Sequence, residues 1–255
     1  MLPTLLAHYG ASEAAALIVV RLLVRFGTQR CVALPEKSQY QIAEGVFIVS
    51  FFSYLLTQVN ATLTPDLFAE EALDLRCSRF SDVGHYALRL YFASNQADYP
   101  FLLYDVWKGL RPAKDGSIMT LHHLLSSLAF WGAMYSRKMQ FYAVYALLCE
   151  YTTVLVGFRR ILLPFVANPR VSSFISAFDI FIMLSYFRFR VYVFFKWFHY
   201  NWEDSSCFHV AAGPFEKLLY ATYIPVVGFL LLISVWWLRT MLRNSYGKLA
   251  GGAKQ

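Results

Sequence analysis

The chain has 255 residues, of which 58% are hydrophobic and only 15% are charged, and its formal net charge at pH 7 is +7. In a soluble domain about a quarter of the residues are charged. This composition therefore excludes an ordinary soluble domain and indicates a polytopic membrane protein. The Lys and Arg residues lie between apolar runs, as the positive-inside pattern requires, and so they do not indicate a nucleic-acid partner.

Seven apolar stretches follow one another along the chain, each near the roughly 20 residues that a helix needs to cross the hydrocarbon core. The first is interrupted by Arg21 and Arg25 and lacks a small-residue cleavage site, so we interpret it as a retained helix rather than a signal peptide. The sequence therefore predicts an all-α polytopic membrane protein with seven transmembrane helices. The predicted spans are residues 12–30, 42–63, 84–106, 118–136, 139–159, 171–195 and 217–240.

The third span is the least hydrophobic of the seven. Ionisable and amide side chains lie within or beside it, namely Arg89, Asn95, Gln96, Asp98 and Asp105. Such groups are costly at membrane depth and usually face protein or water rather than lipid. We therefore expect the polar face of this helix to point into the helix bundle.

The orientation follows from the basic residues, which are concentrated after the first, third and fifth spans and in the C-terminal tail. The positive-inside rule then predicts a C-terminus in the cytosol (or the mitochondrial matrix) and an N-terminus on the opposite side. In this topology Asp105, His122, His123 and Arg159 lie near the cytosolic face. Glu150 lies deeper, and a shared pocket that opens toward the cytosol would bring these groups together.

Two adjacent histidines, His122 and His123, lie in the first turn of the fourth span. Neighbouring residues of a helix point about 100° apart, so one imidazole can serve a pocket while the other orients it. The alternative is that both are polar anchors at the membrane interface. A carboxylate as deep as Glu150 must be protonated or paired, and we expect it to bind His122, His123 or Arg159 directly or through one water.

The sixth span combines many aromatic residues with Arg188 and Arg190. Interfacial belts and rings that face lipid explain most aromatic residues of this kind, and a groove for a sterol or an acyl chain is the alternative. The two arginines can extend to the interface or bind anionic lipid headgroups.

The ordered set of polar motifs resembles the TLC-domain family, which contains ceramide synthases, the translocating-chain-associated protein and small lipid-homeostasis proteins. The motifs that carry the resemblance are Tyr104-Asp105, His122-His123, Glu150 and Arg159. The number of spans is most similar to the small seven-span members. The resemblance implies a six-helix barrel around a lipid cavity in residues 40–243, preceded by an N-terminal helix and basic loop (1–39) and followed by a tail (244–255).

One stretch departs from the ceramide synthases, in which the paired histidines are followed by His-Asp and a further Asp. The corresponding stretch here reads Cys149-Glu150-Tyr151-Thr152-Thr153. Glu150 replaces the aspartate, Cys149 replaces the histidine and Thr153 replaces the second acid. These differences disfavour ceramide synthase activity and resemble the smaller members of the family.

Two functions of different classes are consistent with this resemblance. In the first, the protein is an acyltransferase with acyl-CoA as co-substrate, in which His122 or His123 deprotonates the acceptor or carries the acyl group and Glu150 tunes its basicity. The residues expected to bind ligand are Tyr104, Asp105, Thr153 and Arg159. In the second, the protein binds membrane lipid without chemistry, as a sensor, a chaperone or an accessory subunit with protein partners in a larger membrane complex.

The resemblance implies the endoplasmic reticulum, whereas the mitochondrial inner membrane would suit an accessory subunit. The four cysteines lack metal-ligand spacing, so we expect no metal site and no cofactor apart from acyl-CoA as a co-substrate. Cys77 and Cys207 are predicted to lie on the same, oxidising side of the membrane. They are either bonded to each other or both free, and the sequence leaves these alternatives open.

Overall fold

The computed structural model describes residues 11–31, 33–69, 76–77, 80–109, 113–136, 139–205 and 213–252. Within these ranges the chain forms helices, turns and short connections, and no β-strand. The all-α prediction is therefore confirmed. The seven long helices are α1 Ala11–Cys31, α2 Glu36–Thr62, α3 Asp82–Trp107, α4 Ala113–Ser136, α5 Gln140–Phe165, α6 169–203 and α7 Pro214–Gly252.

Two helices contain local departures from α geometry. α5 includes a 3₁₀ turn at Leu147–Cys149, and its last turn, Leu163–Phe165, is also 3₁₀. α6 consists of the α-helical segment Pro169–Tyr186, a π-helical turn at Phe187–Tyr192 and a second α-helical segment, Val193–Glu203. Because π-helical turns inside α-helices are frequent at functional sites, the middle of α6 is a candidate position for functional residues.

Three helices of the described chain are long and apolar enough to cross a membrane, namely Glu36–Thr62, Gln140–Phe165 and Tyr220–Arg243. Each of the seven predicted spans falls on one of the seven long helices. The other four contain charged or polar side chains, as α3 does. That all seven cross the membrane stays a prediction.

The helices contact one another in an order that differs from their order along the chain. Contacts run from α2 to α3, to α4, to α7, to α6, to α5 and back to α2, while α1 packs against α2 and α3. α2 and α5 approach most closely at two glycines: a Cβ added to Gly45 would lie 2.7 Å from the carbonyl oxygen of Gly157. Small residues allow helix backbones to pack this closely in membranes.

A buried ion pair holds the segment before α3 against the end of α6. The Arg76 Nε and Nη2 atoms donate to Asp204 at 2.6 and 2.7 Å, and the Tyr142 hydroxyl donates to the same carboxylate at 2.6 Å. Arg76 is 4% exposed and Asp204 is fully buried. Removal of one partner would leave an uncompensated buried charge, so the pair fixes how these two segments meet.

The cysteines adjoining this region differ in state. Cys77, next to Arg76 in the chain, is disulfide-bonded, whereas Cys149 is a buried free thiol. Cys207, the other cysteine of the pair considered from sequence, lies outside the described residues.

Candidate functional site

All seven helices contribute side chains to one cavity with a volume of about 420 Å³. Ligand sites in proteins usually have volumes of about 300–1,000 Å³. Glu150 and Arg160 of α5 both line it, and their separation corresponds to about 15 Å along an α-helix. Phe47, Ile48 and Phe52 of α2 supply an apolar wall. The cavity is therefore elongated, with apolar and polar parts.

His123 is held on the cavity wall by two side chains of α3. Its Nδ1 atom lies 2.8 Å from the Asn95 Oδ1 atom. Its Nε2 atom lies 3.1 Å from the Asp98 Oδ2 atom, within the distance of an ion pair. Because α3 turns its polar residues toward the cavity, the expectation that the polar face of this helix points inward is met at these two positions.

His122 lies on the same cavity but has different surroundings. Its ring centroid is 5.5 Å from that of His123 and 6.2 Å from that of Trp237. Its Nδ1 atom is buried and has no hydrogen-bond partner among the described residues. His122 is therefore available to a ligand, whereas its neighbour is anchored.

Glu150 also lines the cavity and is only 3% exposed. Its Oε1 atom accepts a hydrogen bond from the Cys149 thiol at 3.4 Å. Within the described part of the chain, no direct hydrogen bond joins Glu150 to His122, His123 or Arg159. The expected direct pairing is therefore absent, although the carboxylate and both imidazoles face the same space.

Arg159 points away from the cavity. Its Nε and Nη2 atoms donate to the Asp179 carboxylate on α6 at 2.5 and 3.1 Å. Both side chains are partly exposed, at 31% and 25%. The angular position of Arg159 on α5 directs it to the outer surface shared with α6, and hydropathy alone did not indicate this.

Tyr104 and Asp105, which end α3, are also outside the main cavity. Asp105 is fully buried and accepts hydrogen bonds from the Tyr40 hydroxyl and, at 3.2 Å, from the Arg25 Nη2 atom. Tyr104 is 40% exposed and lines a second cavity of about 430 Å³ between α1, α2 and α3. Of the residues predicted from sequence, the structure brings together on the main cavity His122, His123, Glu150 and Thr153.

A buried charge network at one side of the cavity was not predicted from the sequence. Arg21 of α1 donates to Glu44 of α2 and to Asp98 of α3, and Arg25 donates to Glu44 at 2.8 Å. With Asp105, three carboxylates share two guanidinium groups. Asp98 of this network also lies 3.1 Å from the His123 Nε2 atom.

Arg190 is a further buried charge of the site, and it lies in the π-helical turn of α6. Its Nε atom donates to the Thr152 Oγ1 atom at 2.7 Å, and its Nη2 atom donates to the Thr153 Oγ1 atom at 3.0 Å. Its guanidinium carbon is 5.4 Å from the ring centroid of Tyr186 and 5.9 Å from that of Trp237. At 8% exposure it is buried rather than interfacial.

The sequence carries signals for two of these residues. Glu44 lies in the second apolar run, as Glu150 lies in the fifth. Ionisable side chains within membrane spans usually face a partner or a cavity, and this applies to Glu44 as much as to Glu150. Arg21 was interpreted only as an interruption of the first span. Arg190 was assigned either to the interface or to headgroup binding, because no partner for it could be identified from sequence.

The family comparison agrees with this architecture. A family model described as the TLC domain matches residues 36–243, whereas comparisons with curated proteins and with solved structures gave no match. The TLC domain characterises a membrane lipid-associated protein family, and three helices are apolar enough to cross a membrane, so this is an integral membrane protein. Since the match covers α2 to α6 and most of α7, the chain belongs to the TLC-domain family.

Proposed function

We propose that the protein binds a membrane lipid in the 420 Å³ cavity. The observation that carries the proposal is the composition of the wall, which joins an apolar surface on α2 to buried polar groups on α3, α4, α5 and α6. A lipid has the same two parts. The closed order of helix contacts from α2 back to α2 supports a barrel of six helices that encloses the lipid, with α1 packed against α2 and α3 and its Arg21 side chain on the cavity wall.

A cavity-filling substitution tests this proposal. Ser94 of α3 lines the cavity and is 6% exposed, and its hydroxyl donates only to the Tyr91 carbonyl one turn earlier, at 2.8 Å. Ser94→Phe would therefore place an aromatic ring in the cavity at small cost to other contacts. Leu103→Phe is the matched control, because Leu103 is on the same helix and is 72% exposed.

The measurement is the amount of lipid that copurifies with each variant, by native mass spectrometry after detergent exchange. We expect the wild type and Leu103→Phe to retain lipid and Ser94→Phe to lose most of it, with unchanged circular dichroism. Equal retention by all three proteins would show that lipid, if bound, is bound elsewhere.

A second candidate function is acyl transfer to the bound lipid, and the unpartnered Nδ1 atom of His122 favours it. A neutral imidazole at this position can accept the proton of a lipid hydroxyl while the hydroxyl oxygen attacks the acyl carbonyl of acyl-CoA. The thioester bond then breaks, and the proton passes to the departing thiolate. His123, held by Asn95 and Asp98, would fix the geometry of the helical turn.

Acyl transfer is measured with radiolabelled acyl-CoA and the protein in liposomes. His122→Asn should reduce the rate by roughly 100-fold or more, as expected for loss of a general base, and should leave lipid retention intact. His199→Asn is the control, because the His199 side chain is 46% exposed and pairs with Glu203. If the wild type transfers no acyl group from any acyl-CoA, the non-catalytic alternative stands: lipid binding alone, or an accessory subunit identified by its copurifying partners.

We place the protein in the endoplasmic reticulum membrane with a cytosolic C-terminus.

A further inference from the structure

We propose that the cavity selects lipids that bear an acidic group, a carboxylate or a phosphate, and that Arg190 binds that group. The proposal rests on the lipid-binding function proposed above and specifies the chemical class of the ligand.

The buried arginines of the described chain differ in the groups that they bind. Arg21, Arg76 and Arg190 are 6%, 4% and 8% exposed. Arg21 and Arg76 each bind a buried carboxylate, that of Glu44 and that of Asp204, respectively. Arg190 instead donates to neutral hydroxyl groups, and no carboxylate of the described residues lies within ion-pair distance of it. A buried guanidinium group is costly without an opposite charge. Arg190 is therefore the buried arginine that can bind the anionic group of a ligand.

Two hydrogen-bond donors remain free around Arg190. Its Nη1 atom has no hydrogen-bond partner among the described residues. The Thr152 hydroxyl donates to the Cys149 carbonyl at 2.7 Å, whereas the Thr153 hydroxyl accepts from Arg190 and keeps its own proton for another acceptor. The Nη1 group and the Thr153 hydroxyl can therefore donate to the oxygens of one acidic group, and hydrogen bonds to an ionised acceptor are the strong ones.

The backbone of α6 directs Arg190 toward the cavity. It lies in the π-helical turn Phe187–Tyr192, and Arg188 in the same turn is exposed and does not line the cavity. The Tyr186 and Trp237 rings flank the Arg190 guanidinium group. Cation–π contacts reduce the cost of burial, but they do not supply the missing negative charge.

Glu150 is the competing explanation, because it is an acid on the same cavity. If the positive charge of Arg190 served only to balance this carboxylate through space, loss of Arg190 would weaken the binding of every lipid alike or destabilise the fold. A binding role predicts instead a selective loss for acidic lipids. The experiment must therefore compare ligands that differ only in their polar group.

The test uses the full-length protein in phosphatidylcholine nanodiscs with three probes that carry the same brominated chain: octadecanoic acid, octadecanol and octadecyl phosphate. Bromine quenches tryptophan fluorescence, and Trp237 on the cavity wall reports binding. Trp237→Phe identifies the part of the signal that comes from the cavity. The variants are Arg190→Gln, Arg190→Lys and Thr153→Val, with Arg188→Gln as the matched control for removal of a charge from the same turn.

We expect the wild type and Arg188→Gln to bind at least one acidic probe about ten- to a hundredfold more tightly than octadecanol. Arg190→Gln should abolish that preference without weakening octadecanol binding. Arg190→Lys should retain part of it, because a lysine keeps the charge but not the planar donor pair, and Thr153→Val should reduce it. Stronger binding of octadecanoic acid or of octadecyl phosphate tells whether the recognised group is a carboxylate or a phosphate.

Equal binding of acidic and neutral probes by the wild type would overturn the inference and leave lipid binding intact. An equal loss of all probes in Arg190→Gln would also overturn it and assign Arg190 to Glu150. If no probe quenches Trp237 in the wild type, the lipid-binding function itself fails. Should Arg190→Gln not fold, Arg190→Lys and Thr153→Val decide the question, since an unchanged preference in both contradicts the proposal.

Discussion

Arg21 of α1 donates a hydrogen bond to Asp98 of α3 across 77 residues of sequence. The contact joins a helix that lies outside the matched domain, residues 36–243, to the wall of the cavity inside it. Asp98 also contacts His123. A chain of two polar contacts therefore joins α1 to one of the two cavity histidines. The N-terminal helix is therefore part of the site and not merely an additional membrane anchor.

The first prediction concerns this link. Arg21→Met should destabilise the protein by about 3–5 kcal/mol, because it leaves the Glu44 carboxylate, which is 1% exposed, short of a counter-charge. Arg89→Met should cost no more than about 1 kcal/mol, because the Arg89–Glu13 pair is partly exposed, at 33% and 21%. The measurement is thermal unfolding of the purified proteins in one detergent. Similar melting temperatures for the two variants would contradict the role assigned to Arg21.

The second prediction tests the close approach of α2 and α5. Gly45→Ala places a methyl group 2.7 Å from the Gly157 carbonyl oxygen, and a backbone atom cannot move aside cheaply. We expect destabilisation by about 1–3 kcal/mol. Gly27→Ala in α1 is the control, since nothing lies within 4 Å of its added Cβ atom. In a helix that change should stabilise by up to about 1 kcal/mol. Opposite shifts of the melting temperature are expected, and a stabilising Gly45→Ala would refute the tight contact.

The third prediction identifies the partner of the bonded Cys77. The Arg76–Asp204 pair, at 2.6 Å, brings the neighbourhood of Cys77 to a residue only three positions before Cys207, and a disulfide requires Cα atoms within about 7 Å. We expect peptide mapping without reductant to recover Cys77 linked to Cys207. Cys149, a buried free thiol, should react with an alkylating agent only after unfolding. A Cys31–Cys77 peptide would contradict both this pairing and the predicted topology.

The fourth prediction separates chemistry from binding at Glu150. Glu150→Gln keeps the size of the side chain but removes the charge. If the protein transfers acyl groups, the substitution should abolish transfer, whereas lipid retention should fall only in part. Glu203→Gln is the control, because the Glu203 side chain is 48% exposed and pairs with His199 at the surface. Acyl transfer at the wild-type rate in Glu150→Gln would exclude a role for this carboxylate in the reaction.

The sequence by itself determined the all-helical class, the family and the inward position of His122, His123 and Glu150. The first follows from the length of the apolar runs, which is a local property. The last follows from the cost of placing ionisable groups against lipid, which is large enough to dominate other preferences. These inferences needed no knowledge of how the helices pack.

Only the tertiary structure decided which partner each charged group binds. Arg159 pairs with Asp179 rather than with Glu150, because the rotation of α5 about its axis depends on packing against α2 and α6. Arg21 and Arg190 entered the site for the same reason, since their neighbours there are set by the contacts of α1 with α3 and by the π-helical turn of α6. The position of a charged residue within a span indicates that the charge must be buried. The relative rotation of several helices determines which group it contacts.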